Sequence, residues 1–322
     1  MILVLLLANL VHGLVGLAWI AGLRGLCKPL PVRLWTSLIS LALALPPLVA
    51  IARILGAPQP PADARLVRAD PWADLLRDSH PVLQIVLGVL LIGTTLIFVV
   101  QELGPVLRWR RRRFTAPHVA DDRLETAYAR VCAGSRAVAE GGRLAKRTKV
   151  ACLESEETIA ALHGVVRPTV VISRGLMQRL DDEELDGVIA HELAHVVYGG
   201  NARLLVMWLL RALQAWNPAA LLLFRSLVEV REESCDELAA RITRKPAALA
   251  SALLKVYGRG HSVPRAGSAA RRAHMELVRR ADAQATHMRV RVLLDHSGSG
   301  AAPRSLVWLS FVVLGGMLWA IS

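Results

Sequence analysis

The chain has 322 residues, 54% of them hydrophobic, and its mean hydropathy of +0.41 is high for a soluble enzyme. The net charge of +13 comes without the interleaved aromatic residues or helix-turn-helix pattern of nucleic-acid-binding proteins, so we expect no direct nucleic-acid partner. The four cysteines form no C-x-x-C pair and are expected to be free thiols. The composition therefore directs attention to membrane segments.

Four segments carry no charged side chain and are long enough to cross about 30 Å of hydrocarbon. The first lacks the basic leader of a signal peptide, which favours a retained span over a cleaved one. We predict four transmembrane helices, at residues 1–23, 34–52, 79–101 and 305–322.

Basic residues near these segments predict their orientation. The loop between the first two is basic without acids, and a run of arginines from Arg108 to Arg113 follows the third. Positive charge stays on the cytoplasmic side and attracts anionic lipid, so we expect the lipid bilayer to be a partner. This predicts three transmembrane helices with short loops in 1–105, a cytoplasmic domain in 106–304 and a fourth span in 305–322, with both termini external.

Within the cytoplasmic region, the pattern predicts a helix at 121–140 and then two short strands at 148–153 and 169–173, rich in β-branched residues. A small sheet therefore precedes the motif described next. We hypothesise that one of these strands holds an extended peptide by strand addition. A purely structural role is an equal alternative, because the sequence does not show which sheet edge is free.

The most informative motif is His-Glu-Leu-Ala-His, formed by His191, Glu192 and His195. On a helix, residues four apart lie on one face, so two imidazoles can bind one ion while the glutamate lies beside it. Acidic residues before the motif and apolar residues at helical spacing predict a helix over about 181–198. This is the pattern of zinc metallopeptidases, and the alternative is an amphipathic helix with two surface histidines.

Two apolar stretches follow, at 204–210 and 216–225, separated by Asn217 and Pro218, which break the helix. Neither stretch alone spans a bilayer. A membrane-apposed hairpin over about 204–227 fits them best, and two buried core helices are the alternative.

A catalytic zinc site usually has three protein ligands, so a third ligand is needed. The acidic stretch after the hairpin offers Glu232 and, one helical turn later, Asp236, which can accept the ring N–H of a ligand histidine. Glu233 is the rival ligand. The alternative for the whole stretch is a solvated acidic face.

Asn217-Pro218 followed by Glu232-x-x-Cys235-Asp236, downstream of the histidine motif, resembles the BlaR/MecR-type antirepressor membrane metallopeptidases. Residues 164–176 are also similar to the segment leading into their zinc helix. The resemblance implies Glu232 as the ligand, Asp236 as its support and a winged-helix repressor as a partner. Those sensors carry a penicillin-binding domain after the fourth span, and because the chain stops at Ser322 we expect no β-lactam sensing of that kind.

The related HtpX-type proteases share the histidine motif and have alanine at the position of Cys235, which favours the antirepressor type. Thr286-His287 with Arg289 resembles a downstream motif of the HtpX and CAAX-processing proteases, in which the histidine helps to stabilise an oxyanion. His287 is therefore a catalytic candidate by resemblance, and a surface histidine is the alternative.

The expected fold is a multi-pass α-helical membrane protein of about four spans with a cytoplasmic, mainly α (α+β), zincin-like metallopeptidase domain carrying a small β-sheet. We expect one Zn²⁺ per chain, held by His191, His195 and Glu232, with Glu192 as the general base. The expected location is a bacterial-type inner membrane, and a homodimer is compatible with the sequence.

The expected function is hydrolysis of peptide bonds in cytoplasmic or membrane-associated proteins, in regulatory proteolysis of a BlaI-like repressor or signalling protein. The alternative is an HtpX-like protease for membrane protein quality control. A third interpretation is a non-catalytic membrane adaptor, against which the intact set of metal ligands and Glu192 argues.

Overall fold

The computed structural model describes residues 2–26, 32–56, 81–103, 118–134, 147–257, 284 and 286–294, with 312 and 316. The chain divides into two compact units. We call them the helical unit, composed of Met1–Phe114, Leu205–Arg231 and Ser299–Ser322, and the sheet unit, composed of Thr115–Leu204 and Glu232–Gly298.

The helical unit begins with α1 (Ile2–Leu26) and α2 (Val32–Ile54), followed by α3 (Pro81–Ile97), which a π-helical turn, Phe98–Leu103, continues. α1 packs against α2, and a Cβ atom on Gly16 would lie 3.2 Å from the Cβ atom of Ala42. Glycine therefore permits close helix packing here. The first three predicted apolar segments are helical, whereas the fourth, 305–322, lies outside the described residues apart from 312 and 316.

Within the described residues, one helix, Leu34–Ala52, is long and apolar enough to cross a membrane, and 44% of it is buried within the protein. The consecutive helices at 182–197 and 200–212 pass the same criterion only as a broken pair. Four membrane spans therefore stay a prediction.

The sheet unit contains a four-stranded sheet built from β1 (His118–Val119), β2 (Lys149–Leu153), β3 (Ala160–His163) and β4 (Thr169–Ser173). The strand order is β1-β2-β4-β3, with β2 parallel to β4 and the other pairs antiparallel. β3 is thus an edge strand.

This order bears on the hypothesis that a predicted strand holds the substrate. The two predicted strands are β2 and β4, and both have a neighbouring strand on each side, although the two-residue β1 pairs only with Cys152 and Leu153 of β2. The edge strand β3 was not predicted, because Ala160-Ala161-Leu162-His163 has no β-branched residue and so carries a weak strand signal.

The helices of the remaining chain are α4 (Asp122–Ala133), α5 (Arg174–Met177), α6 (Asp182–Val197), α7 (Gly200–Ala212), α8 (Pro218–Thr243), α9 (Pro246–Tyr257) and α10 (286–294). α4 is shorter than the predicted helix at 121–140, because Gly134 caps it, and 135–140 lie outside the described residues. α6 packs against α4, α9 and β3, with Leu185, Ile189 and Leu193 in the core.

The start of α6 is set by a capping box, in which Asp181 accepts a hydrogen bond from the backbone N–H of Glu184 and Glu184 accepts one from Asp181. Such reciprocal bonds satisfy two backbone N–H groups that have no partner within the helix, and they define the first turn. At the start of α8, the Oδ1 atom of Asn217 accepts a hydrogen bond from the backbone N–H of Ala219 at 2.9 Å, without the reciprocal bond of a capping box. The predicted helix over 181–198 and the break at Asn217-Pro218 are both confirmed. Cys132, Cys152 and Cys235 are not in disulfide bonds, as expected.

Candidate metal centre

The two motif histidines lie one turn apart on α6, with ring centroids 4.9 Å apart and the rings nearly perpendicular. His191 is buried and His195 is partly exposed. The i, i+4 spacing on a helix produces this arrangement, because residues one turn apart share a face.

Glu232, on α8, faces both imidazoles. Its Oε2 atom lies 3.5 Å from Nε2 of His191, and its Oε1 atom lies 3.6 Å from Nε2 of His195. One ligand atom from each of the three residues falls within 4.8 Å of the others. Glu233, the rival in the sequence analysis, is exposed and is not part of this cluster.

The donor atoms of this cluster suit a metal ion. Two imidazole nitrogens and one carboxylate oxygen form a ligand set that zinc commonly takes. The Nε2 atom of His191 is buried and has no hydrogen-bond partner among the described residues. Burial acts to lower the pKa of His191, but Asp236 and Glu232 outweigh it and raise the pKa to about 10. The site therefore favours a positive charge between these groups.

The other ring nitrogen of each histidine contacts a side chain of α8. Nδ1 of His191 lies 3.0 Å from Oδ1 of Asp236, the contact expected from the predicted supporting role of this residue. Nδ1 of His195 lies 3.2 Å from Sγ of the fully buried Cys235, a contact that the sequence did not predict. Such contacts fix the orientation and tautomer of a metal-binding imidazole.

Arg289, on α10, holds the two acids of α8. Its Nε and Nη2 atoms donate to Asp236 at 2.6 and 2.8 Å, and its Nη1 atom lies 3.3 Å from Oε2 of Glu232. Burial alone would raise the pKa of Asp236, but the hydrogen bonds from Arg289 and from His191 hold it below its usual value. The guanidinium also lies over the ring of Tyr257, with its carbon atom 5.6 Å from the ring centroid.

Arg289 belongs to the same sequence motif as Thr286 and His287, and the sequence alone indicates no role for it. Its signal was weak, because the arginine is separated from its partners on α8 by more than 50 residues. His287, the residue of that motif chosen as a catalytic candidate, is exposed on the same helix. Its part in oxyanion stabilisation stays a prediction.

Glu192 is buried next to His191, with 5% of its surface exposed. Burial raises its pKa to about 7; the charge of Glu232 acts in the same direction, whereas His191 and a backbone hydrogen bond from Leu162 oppose it. Leu162 belongs to the edge strand β3. The carboxyl group of Glu192 therefore neighbours both the metal-binding cluster and the edge of the sheet.

Comparison with known proteins agrees with this geometry. Residues 75–283, more than half of the chain, match the family model described as BlaR1 peptidase M56. A stretch of 132 residues is 33% identical to protease HtpX homolog 2 of Methanosarcina mazei, covering 30% of this chain and 44% of that protein.

A protease HtpX homolog of Bacteroides fragilis is 30% identical over 152 residues, which are 34% of this chain and 47% of that protein. Protease HtpX homolog 1 of Streptomyces coelicolor is 31% identical over 122 residues, 28% of this chain and 40% of that protein. The chain thus spans less than half the length of these curated relatives. Because the family model covers most of the chain, and the histidine motif and its partner glutamate fall inside the match, the chain belongs to the BlaR1 peptidase M56 family of metalloproteases.

Proposed function

We propose that the chain is a zinc-dependent endopeptidase of the membrane, in which His191, His195 and Glu232 hold the metal. The convergence of these three ligand atoms within 4.8 Å, beside a buried glutamate and an edge strand, carries the proposal. Zinc, when bound, supplies a Lewis acid that polarises the scissile carbonyl and acidifies water.

Glu192 is the general base in this proposal. A carboxylate beside the metal cluster can take a proton from the attacking water and then pass it to the leaving amine nitrogen. Its buried position excludes bulk water from that exchange. Asp236 and Cys235 orient the histidines, and Arg289 holds Asp236 and Glu232 in place.

Strand β3 is the proposed binding edge for the substrate. Among the described residues no strand pairs with its outer side, and the backbone of its residue Leu162 contacts Glu192. An extended peptide that adds to this edge brings its main chain beside the general base. Binding in this way therefore requires an unfolded segment of the substrate.

The experiment uses the full chain in detergent with zinc and fluorescently labelled casein as the probe. Glu192→Gln should lower turnover by about 100-fold or more while the zinc content stays at that of the wild type, because only the base is removed. The matched control is Glu183→Gln, an exposed residue of the same helix, which should cleave normally. Full turnover by the Glu192→Gln protein would contradict the proposal.

The proposal places the helices of 1–105 and the segment 305–322 in a bacterial-type inner membrane, and the region 106–304 on the cytoplasmic side. The apolar side chains of α3 support it, because Val89 and Ile92 are 66% and 70% exposed within the protein, as expected for lipid contact. Labelling of single cysteines introduced at 63 and 120 with a membrane-impermeant maleimide tests the topology. Position 63 should react in intact cells, and position 120 only after lysis.

Two substrate classes remain within this chemistry. Membership of the BlaR1 peptidase family favours regulatory cleavage of a repressor or signalling protein, and the relatives named HtpX favour degradation of damaged membrane proteins. A proteomic comparison of cells with wild-type and Glu192→Gln protein separates them. Accumulation of one soluble regulator supports the first class, and accumulation of many membrane proteins supports the second.

A further inference from the structure

Asn201, in the first turn of α7, contacts the segment around β3. Its Nδ2 atom donates to the carbonyl oxygen of Leu162 at 2.8 Å and to that of Gly164 at 3.0 Å. A side-chain amide has two N–H donors, so these two bonds use the full donor capacity of the group.

The register shows which backbone groups of β3 face away from the sheet. The backbone N–H of Ser173 donates to the carbonyl of Ile159, and Ala161 pairs with Val171 in the same ladder. Because hydrogen-bonding directions alternate along an antiparallel strand, Ala160 and Leu162 direct their N–H and C=O groups outward. The bonds from Asn201 to Leu162 agree with this alternation.

The outward groups are not equally available to a substrate. Asn201 occupies the carbonyls of Leu162 and Gly164, and the N–H of Leu162 faces Glu192. Within the described part of the chain, no residue bonds to the outward groups of Ala160. The accessible main-chain edge therefore lies at the start of β3 and ends at Leu162, beside the general base.

We propose that Asn201 is a specificity-determining residue that ends the substrate-binding edge of β3 at Leu162, by filling the carbonyls that a substrate strand would otherwise use. This inference rests on the proposed endopeptidase function. For a strand antiparallel to β3, the residue opposite Ala160 lies two positions C-terminal to the residue opposite Leu162. The backbone of the substrate then bonds to β3 on the C-terminal side of the cleavage point. On the N-terminal side, no backbone hydrogen bond to β3 is required.

The test replaces single backbone amides of a substrate by esters, which removes one N–H donor without removing a side chain. A tryptic digest of a bacterial proteome serves as the first probe, and the best-cleaved sequence is then synthesised with an ester at each position in turn. The full-length wild type is compared with Asn201→Ala and with Asn201→Asp, which keeps the size but has no donor. Val166→Ala, in the exposed turn after β3, is the matched control.

The wild type should lose about tenfold in kcat/KM at one ester position, the residue opposite Ala160, through an increase in KM. An ester two residues toward the N-terminus should change kcat/KM less than about twofold, because Asn201 already fills that acceptor. In both Asn201 variants the second position should become sensitive, by about tenfold. The control should show the wild-type profile.

A wild type that is sensitive at both positions, or Asn201 variants that keep the wild-type ester profile, would overturn the assignment of Asn201 alone. The assignment would also be overturned if the Asn201 variants lost kcat/KM equally for all peptides and had a lower thermal midpoint. That result would indicate a structural role for Asn201. Absence of any Glu192-dependent cleavage would instead overturn the proposed function, and the role of Asn201 with it.

Discussion

The helical and sheet units bury different kinds of polar groups. In the described part of the helical unit, the buried polar side chains are neutral amides, an imidazole, a threonine hydroxyl and arginines, with no buried carboxylate. The sheet unit instead buries three carboxylates, those of Glu184, Glu192 and Asp236.

The difference follows from what each set of groups contacts. Asn217 donates to Oδ1 of Asn9 at 2.9 Å, and Gln214 donates to the backbone of Leu43 and Leu210, so amides there join helices to one another. Neutral donors and acceptors satisfy buried backbone and side-chain groups at a low desolvation cost. The carboxylates of the sheet unit face histidine, arginine or lysine, whose positive charges offset the cost of burying them, and the candidate metal ligands lie in the same unit.

The largest expected effect is the loss of metal in Glu232→Gln. This change removes the only carboxylate of the cluster and should weaken zinc binding more than the roughly 10- to 100-fold typical of supporting residues. Elemental analysis of the purified protein measures it, and Glu233→Gln is the matched control that should keep its zinc. Equal metal content in both variants would remove the basis of the comparison between the units.

Next in size is the loss of support for His191. Asp236→Asn should weaken zinc binding by about 10- to 100-fold, because the negative charge that faces Nδ1 of His191 and Arg289 is lost. Cys235→Ala should weaken binding less than about threefold, since a thiol is a weak hydrogen-bond partner. Competition with a chelator measures both. A larger effect at Cys235 than at Asp236 would reverse the ranking of the two supports.

In the helical unit, Asn217→Ala should lower the free energy of unfolding by about 1–3 kcal/mol, because it removes a helix cap and the bonds to Asn9. The effect should be the same at pH 7 and pH 5, since no charged group is lost. Thermal unfolding in detergent measures it, with the exposed Leu222→Ala on the same helix as the control. A marked pH dependence would show that the amide network is coupled to an ionising group.

The smallest expected effect belongs to Glu184→Gln, about 1 kcal/mol at pH 7, because glutamine can still accept from Ser251 and from the backbone of Asp181. Burial raises the pKa of Glu184, but the bonds from Lys255, Ser251 and the backbone outweigh it and lower the pKa below 4.5. The carboxylate therefore stabilises the fold above about pH 4.5 and loses this contribution as the pH falls further.

Thermal midpoints of metal-free protein at pH 7 and pH 3.5 measure the difference between wild type and Glu184→Gln. The gap should shrink at the lower pH, and the exposed Glu183→Gln serves as the control. If the difference in thermal midpoint between wild type and Glu184→Gln were larger at pH 3.5 than at pH 7, the carboxylate of Glu184 would not stabilise the fold in the way stated.

Much of the candidate site could be predicted from local patterns. The i, i+4 histidines, the acidic first turn of α6 and the helix break at Asn217-Pro218 all depend on residues within a turn or two of each other. Asp236 could be proposed because it lies one helical turn after Glu232, whereas the choice of Glu232 over Glu233 came from the resemblance to the antirepressor peptidases. The edge strand β3 was missed, because four residues without a β-branched side chain do not differ from a loop in sequence.

The sequence by itself determined the chemistry of the chain: two imidazoles and a glutamate at helical spacing, within a polypeptide rich in apolar segments. Only the tertiary structure decided how the site is completed, since it brings Cys235 to His195, Arg289 to Asp236 and Asn201 to the edge of β3. Those contacts join residues 39 to 53 positions apart. A helix period fixes neighbours one turn away, but pairs so distant meet only through the packing of whole elements.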